Sequence, residues 1–256
     1  MKRSDYLSQI VKIYLIRHAR QNSPLCNVDV PLADEGLIQS MLVGQRLRAY
    51  DIAQVYSSNL IRAIMTANVI RCEINRKENR KTGLLDIDNM DCKAILDEIS
   101  QMQNSACEFE ELRETDFGEL TGLEDSVLRV RYRDYYEARD LKREDLRIPG
   151  GENGEEVFIR MQRAMQCILE DAIRKDYANI AVVSHGAAIR CYLAGLLGMP
   201  QSHRFMIAKN MENTSITEIF YDVDKQIFSV ERMNDYSHLE GYDKLLRKHF
   251  KEPGKA

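Results

Sequence analysis

Two histidines of this 256-residue chain each stand at the end of a β-rich run. His18 follows the apolar run at residues 11–16 and is preceded by Arg17, and His185 follows the run at residues 180–184. In an open parallel sheet, ligands bind beyond the carboxyl ends of the strands. A single histidine is more often structural than catalytic. Two histidines at equivalent strand ends, one of them beside an arginine, indicate a shared functional site.

Six short blocks of sequence include these histidines and follow one another over most of residues 11–220. The blocks are YLIRH at 14–18, PLADEGLIQ at 31–39, SSNLIRAIMTA at 57–67, LRETDFGELTG at 112–122, PGGE at 149–152 and SHGAAIR at 184–190. Their content and order resemble the histidine phosphatase superfamily, also called phosphoglycerate mutase-like. Each block alone is a weak signal, whereas six in family order are a strong one.

The resemblance implies a role for five residues. His18 is the expected nucleophile, whose neutral imidazole attacks phosphorus and forms a phosphohistidine. Arg17 and Arg62 are expected to hold the phosphoryl oxygens through bidentate hydrogen bonds, and His185 is a further catalytic donor to them. Glu114 is expected to protonate the leaving oxygen and then to accept a proton from the attacking water. These roles require no metal and no other cofactor.

The same roles predict a phosphatase that hydrolyses a small phosphorylated metabolite. The nearest alternative is a phosphoglycerate-type mutase, which returns the phosphoryl group to its substrate. Mutases of the family usually carry a longer stretch between the acid and the second histidine, and the block at 149–152 is more similar to that of phosphatases. An alternative of another class is a non-catalytic binding module for a phosphorylated ligand. Binding alone would require neither His18 nor Glu114.

The first block departs from the family pattern just after the nucleophile. Ala19 replaces the usual glycine, and Pro24 stands where the family has an asparagine that helps to hold phosphate. Asn22 and Asn27 are both candidates to replace that asparagine. Arg20 adds a positive charge that faces either a second anionic group or solvent. Arg20 and Asn22 are therefore further candidates for contact with the substrate.

Hydrophobic patterning predicts the elements that must position these residues. Strands are expected at residues 11–16, 54–57, 180–184, 216–221 and 227–230, and helices at 35–50, 60–71 and 155–175. Asn153 and Glu156 have capping-box spacing at the start of the last helix. Alternation of strands and helices predicts an α/β protein. With the resemblance, this becomes a three-layer α/β/α sandwich with a mostly parallel central sheet.

The whole chain, residues 1–256, is expected to form one histidine phosphatase domain. Residues 72–110 are interpreted as an inserted segment, rich in charge and poor in strand signal, with a helix over Ile95, Ile99, Met102 and Ala106. A partial calcium-loop pattern at residues 86–91 lacks the turn glycine and is not expected to bind metal. The basic tail at residues 241–256 is expected to fray.

Composition limits the partners of the chain. Apolar residues make up 44% and charged residues 30%, as in soluble globular proteins, and the formal net charge of −4 argues against broad nucleic-acid binding. No apolar run approaches the ~20 residues that span a bilayer. The six scattered cysteines form no C-x-x-C pair. We therefore expect a cytoplasmic protein without membrane or nucleic-acid partners, of undetermined substrate and oligomeric state.

Overall fold

A computed structural model of the chain describes residues 9–76, 85–102 and 106–250, and side chains up to residue 248. Its centre is a six-stranded sheet in the order β3-β2-β4-β1-β5-β6. The strands are β1 Ile10–Arg17, β2 Gln54–Ser58, β3 Cys107–Phe109, β4 Asn179–Ser184, β5 Ile216–Asp222 and β6 Ile227–Asp235. The first four strands in this order are mutually parallel, whereas β5 and β6 join the sheet antiparallel at one edge. The prediction of a mostly parallel sheet is confirmed.

Helices cover both faces of this sheet. The helices are α1 Asp34–Leu47, α2 Ile61–Asn75, α3 Cys92–Ser100, α4 Asp125–Arg131, α5 Arg133–Asp140, α6 Gly154–Arg174 and α7 Gly186–Leu196. Alternate side chains of the central strands pack against α6 and α7 on one face and against α1 and α2 on the other. The three-layer α/β/α architecture is therefore confirmed. No helix within the described residues is both long and apolar enough to cross a membrane.

The longest helix, α6, follows its sequence pattern closely. Its apolar stripe, which includes Val157, Met161 and Ile168, is buried against the sheet. The capping box is present, because the Asn153 side chain accepts the backbone N–H of Glu156 at 2.9 Å and the Glu156 carboxylate accepts that of Asn153 at 3.2 Å. This helix therefore packs on one face of the central strands whose ends carry the predicted site.

The segment from residue 72 to 110 differs from its predicted interpretation. Ile95 and Ile99 lie on α3 and pack with α1 and α2, but α3 ends at Ser100, before Met102. Ala106 instead precedes β3 directly, is buried among residues of α1 and α2, and donates its backbone N–H to Asn68 of α2 at 3.0 Å. The predicted four-residue helical stripe is therefore wrong in its second half. Residues 77–84 and 103–105 lie outside the described residues.

The start of the predicted frayed tail, residues 241–256, is packed rather than free, together with Leu239 just before it. Leu239, Tyr242 and Leu245 are buried against Ile38 and Leu42 of α1. Burial of three large side chains favours an ordered chain, which the basic composition of this region did not indicate. Residues 251–256, the end of the predicted tail, lie outside the described residues.

Candidate active site

The carboxyl ends of the parallel strands carry the predicted site residues. His18 follows β1, His185 follows β4, and Arg62 lies in the first turn of α2, just after β2. The rings of His18 and His185 have their centroids 4.9 Å apart, at an interplanar angle of 50°. The two strands are hydrogen-bonded neighbours in register, with Arg17 opposite Ser184. Parallel pairing is therefore what brings two histidines, 167 positions apart in sequence, to one point.

The His18 imidazole is oriented as a nucleophile. Its Nδ1 lies 2.7 Å from the carbonyl oxygen of Ala19. A carbonyl oxygen only accepts, so Nδ1 carries the proton and Nε2 presents a lone pair. Burial lowers the pKa of His18 well below its usual range, and the charges of Arg17 and Arg62 lower it further. The ring is therefore neutral at neutral pH, as attack on phosphorus requires.

The His185 imidazole is positioned by Ser58 and Leu60 at the end of β2. Its Nε2 lies 2.8 Å from the hydroxyl oxygen of Ser58, which also accepts the N–H of Leu60 at 3.2 Å. The Ser58 hydroxyl can donate to Nε2 or accept from it. The buried Nδ1 of the ring has no hydrogen-bond partner among the described residues. Burial, followed by the proximity of His18 and Arg62, lowers the pKa of His185 well below its usual range.

Arg17 and Arg62 bring two guanidinium groups to the histidine pair. We call these two arginines the phosphate clamp, after their expected role. Nη1 of Arg17 donates to the carbonyl of Met211 at 2.6 Å, and Arg62 donates to Val28 at 2.9 Å and Asn27 at 3.0 Å. The Nε atoms of both arginines are buried without a hydrogen-bond partner within the described residues. A buried donor without a partner costs about 1–3 kcal/mol. Anion binding would offset that cost.

The Glu114 side chain lies at the N-terminus of α7, the helix that begins directly after His185. Its carboxylate accepts the backbone N–H groups of Ala187 at 3.2 Å, Ala188 at 2.9 Å and Thr115 at 2.9 Å. These bonds fix the carboxylate at the positive end of the helix dipole. Burial lowers the pKa of Arg62, and the Glu114 carboxylate opposes that effect, which places the acid in the field of the phosphate clamp.

Arg160, a buried arginine outside the six sequence blocks, holds in place the acid segment, residues 111–114, which carries Glu114. Arg160 of α6 donates to the carbonyls of Glu111, Arg113 and Glu114 at 2.7, 2.8 and 3.0 Å. It also forms a two-pronged ion pair with Glu152, both contacts 2.8 Å long. The signal in the sequence was the position of Arg160 on the apolar stripe of α6, three residues after Val157 and four before Ala164, since a charged residue that is buried there requires partners.

The loop after His18 contains the positions at which the chain departs from the family pattern. Ala19 is fully buried without a left-handed backbone, so a methyl group is tolerated where the family has glycine. Asn27 contacts Arg62, as described above, whereas Asn22 is exposed and its backbone N–H donates to Pro31 at 2.9 Å. Asn27 is therefore the better candidate to replace the missing asparagine. The backbone N–H of Arg20 donates to Gln39 at 2.8 Å.

The aspartates of the partial calcium-loop pattern have separate partners. Asp86 accepts a hydrogen bond from Asn89, Asp88 pairs with Lys244 at 2.9 Å, and Asp91 caps α3. Across the described residues, no group of three or more histidines, cysteines or acids is arranged to hold a metal ion.

The fold and this sheet-edge site together define a phosphoglycerate mutase-like protein. The solved structure of phosphoglycerate mutase from Bacillus anthracis str. Sterne matches with a TM-score of 0.64 and 22% identity, over 91% of this chain and 96% of that one. A mycobacterial glucosyl-3-phosphoglycerate phosphatase complexed with VO3 matches with a TM-score of 0.65 and 18% identity, over 88% and 99% of the two chains. These likenesses show the fold.

Sequence comparison gives the family. The profile of the histidine phosphatase superfamily (branch 1) matches residues 13–109 and 100–236, so the chain belongs to that superfamily, whose members are phosphatases or mutases. A relative in Salmonella choleraesuis (strain SC-B67), named probable phosphoglycerate mutase GpmB, is 27% identical over 248 residues, which cover 93% of this chain and 100% of the relative.

Removal of one guanidinium should weaken the clamp strongly. We expect Arg62→Ala to lower kcat/KM for a phosphomonoester on the order of 10²–10³-fold, because an oriented donor to the developing charge is lost. Inhibition by vanadate should weaken in parallel. Arg62→Lys should restore little, because an ammonium lacks the planar fork.

Arg163→Ala is the matched control for Arg62→Ala, since Arg163 is an exposed helical arginine on α6. It should leave both measurements near the wild-type values. Unchanged vanadate affinity in a folded Arg62→Ala protein would remove Arg62 from the pocket.

Proposed function

We propose that this protein is a phosphatase that hydrolyses a small phosphomonoester through a phosphohistidine on His18. The observation that carries the proposal is the orientation of His18. Its Nδ1–H is bonded to the carbonyl of Ala19 at 2.7 Å, and its Nε2 is left with a lone pair beside His185 and two arginines. A binding module would require the cations but not an uncharged, oriented nucleophile, so catalysis is favoured over binding alone.

In the first step, Nε2 of His18 attacks phosphorus in line with the ester oxygen. Glu114 enters this step in its protonated form. The new N–P bond forms as the P–O bond to the leaving group breaks, and Glu114 gives its proton to the departing oxygen. Arg17, Arg62 and Nδ1–H of His185 donate to the three equatorial oxygens, on which charge spreads during transfer. The products of this step are the free alcohol, the phosphohistidine and the Glu114 carboxylate.

In the second step, water attacks the phosphorus of the phosphohistidine. The Glu114 carboxylate takes the proton of that water as the new P–O bond forms, and the N–P bond returns its electron pair to Nε2 of His18. Inorganic phosphate then leaves, and both residues return to their starting states. Glu114 reaches the two oxygens in turn because the attacking water takes the place of the leaving alcohol.

Two features support hydrolysis over phosphoryl return. The stretch between Glu114 and His185 is shorter than the resemblance implies for mutases. The sequence block at 149–152 is more similar to that of phosphatases. It also supplies Glu152, whose ion pair with Arg160 holds the acid segment in place. Phosphoglycerate interconversion is the second candidate, favoured by the name of the 27% identical Salmonella relative.

A panel assay in EDTA tests the proposal. The purified protein should release inorganic phosphate steadily from at least one small phosphomonoester, without priming by a bisphosphate. In the same assay, 3-phosphoglycerate is followed for conversion to 2-phosphoglycerate with and without 2,3-bisphosphoglycerate. Interconversion much faster than phosphate release would identify a mutase. Saturable phosphate-ester binding with neither reaction would identify a binding module.

A further inference from the structure

The C-terminal segment, residues 239–247, is anchored to the loop that carries the nucleophile. The buried side chain of Gln39 connects them, because its Nε2 donates to the carbonyl of Leu245 at 2.7 Å and its Oε1 accepts the N–H of Arg20 at 2.8 Å. Gly36 keeps this connection close, since a Cβ at that position would lie 2.2 Å from the carbonyl oxygen of Arg20. The segment therefore reaches the site in a fixed position.

At the end of this segment, Arg247 lies beside the phosphate clamp. Its Nη1 donates to the carbonyl oxygen of Met211 at 2.9 Å, and Nη1 of Arg17 donates to the same oxygen at 2.6 Å. Two guanidiniums on one oxygen are necessarily neighbours. The backbone N–H of Arg247 donates to Glu212 at 3.1 Å, and Glu212 also accepts the N–H of Asn213, whose side chain donates to the carbonyl of His18.

Electrostatic effects agree with the position of Arg247 beside Arg17. Burial lowers the pKa of Arg17, and Arg247 lowers it more than any other charged neighbour does. Arg247 also lowers the pKa of His18, but less than burial, Arg17 and Arg62 do. Burial lowers the pKa of Arg247 itself, and Glu212 and Asp125 oppose that effect. Asp125 is the first residue of α4, so charges on both Arg17 and α4 act on Arg247.

Arg247 also keeps donors free, unlike its cationic neighbour Arg190. Arg190 spends all three guanidinium nitrogens on the carbonyls of Gly186, Ile207 and Ala208. Among the described residues, the Arg247 guanidinium has Met211 as its one hydrogen-bond partner, through Nη1. A half-buried guanidinium with Nε and Nη2 unused, held against a second cation, is arranged to receive an anion.

We infer that Arg247 binds a second anionic group of the substrate, a carboxylate or a second phosphate, while Arg17, Arg62 and His185 hold the phosphoryl group that is transferred. The substrate is then a phosphomonoester with another negative charge a few atoms from the reacting phosphorus. This inference rests on the proposed phosphatase function and adds the substrate class to it.

Three substrates of similar size test the inference. Glycerol 3-phosphate has no second anion, 3-phosphoglycerate replaces its terminal hydroxymethyl group by a carboxylate, and propane-1,3-diol bisphosphate carries a second phosphate. The wild type should have a higher kcat/KM for 3-phosphoglycerate, for the bisphosphate or for both than for glycerol 3-phosphate. Arg247→Gln should lower that preference, as a ratio of kcat/KM values, by on the order of 10-fold or more, mainly through KM. Arg247→Lys should recover part of the ratio.

Lys248→Gln is the matched control, because Lys248 is the adjacent cation, exposed and paired with Asp243 at 3.2 Å. It should leave the ratio unchanged. If Arg247→Gln lowers the preference for only one of the two substrates with a second anion, the second group of that substrate, carboxylate or phosphate, is the one that Arg247 binds. An equal fall for all three substrates, an unchanged ratio, or a wild type without preference overturns the inference. Failure of the wild type to hydrolyse any of the three counts against the proposed function instead.

Discussion

Replacing His18 with alanine should remove both the covalent intermediate and turnover. The variant keeps the clamp but has no nitrogen to attack phosphorus, so we expect kcat to fall on the order of 10⁴-fold or more. Wild-type protein quenched without acid after brief incubation with labelled substrate should carry a phosphoryl group that is labile in acid and stable in alkali. The variant should carry none.

His203→Ala is the control for this experiment, because His203 lies on the turn after α7, outside the site. It should be labelled and turn over as the wild type does. If folded His18→Ala keeps near-wild-type hydrolysis, the nucleophile is assigned wrongly.

The charge state of His18 can be tested without substrate. Burial, Arg17 and Arg62 all lower the pKa of His18, so the imidazole should stay neutral as the pH falls through 6.5, where an ordinary histidine takes up a proton. An NMR titration of the ring C–H signals, assigned with His18→Ala, should show no His18 transition between about pH 8 and pH 6. A transition centred near 6.5 would contradict the buried, cation-facing environment described here.

The framework of the fold could be predicted because its signals are local. The run that becomes β1 is apolar and β-branched, and the stripe of α6 repeats every three to four residues, so sequence alone indicated a strand and a helix. The positions of the two candidate site histidines, His18 after β1 and His185 after β4, followed from such strand patterns. β3 could not be predicted, because three residues carry too little pattern. It is defined by its pairing with β2, in which Tyr56 lies opposite Cys107.

The supporting residues of the site were harder to predict, since long-range contacts define them. Arg160 acts on a segment 46–49 positions away, and Arg247 meets Met211 across 36 positions. Neither pair has a spacing that a motif records. The same holds for Asn27, which contacts Arg62 across 35 positions and lies outside the family position of the asparagine. Such residues emerge only when the sheet order brings separate loops to one edge.

Replacing Glu114 with glutamine should separate substrates by their leaving groups. Glutamine keeps one acceptor oxygen for the N–H groups of Ala187 and Ala188 but has no acidic proton to give. An alkyl leaving group needs that proton at departure, whereas p-nitrophenolate does not. In single-turnover assays of phosphoenzyme formation, Glu114→Gln should slow an alkyl phosphate on the order of 10²–10⁴-fold and p-nitrophenyl phosphate far less.

This difference between substrates distinguishes acid catalysis from damage to the start of α7, which would slow both substrates equally. Glu111→Gln is a control in the same segment, where the exposed Glu111 holds Arg160 only through its backbone carbonyl. It should change neither rate. The rival acid is Asp116, whose carboxylate accepts the N–H of Gly118 at 2.8 Å in a local turn. If Asp116→Asn, and not Glu114→Gln, slows the alkyl phosphate selectively, Asp116 is the acid that protonates the leaving group.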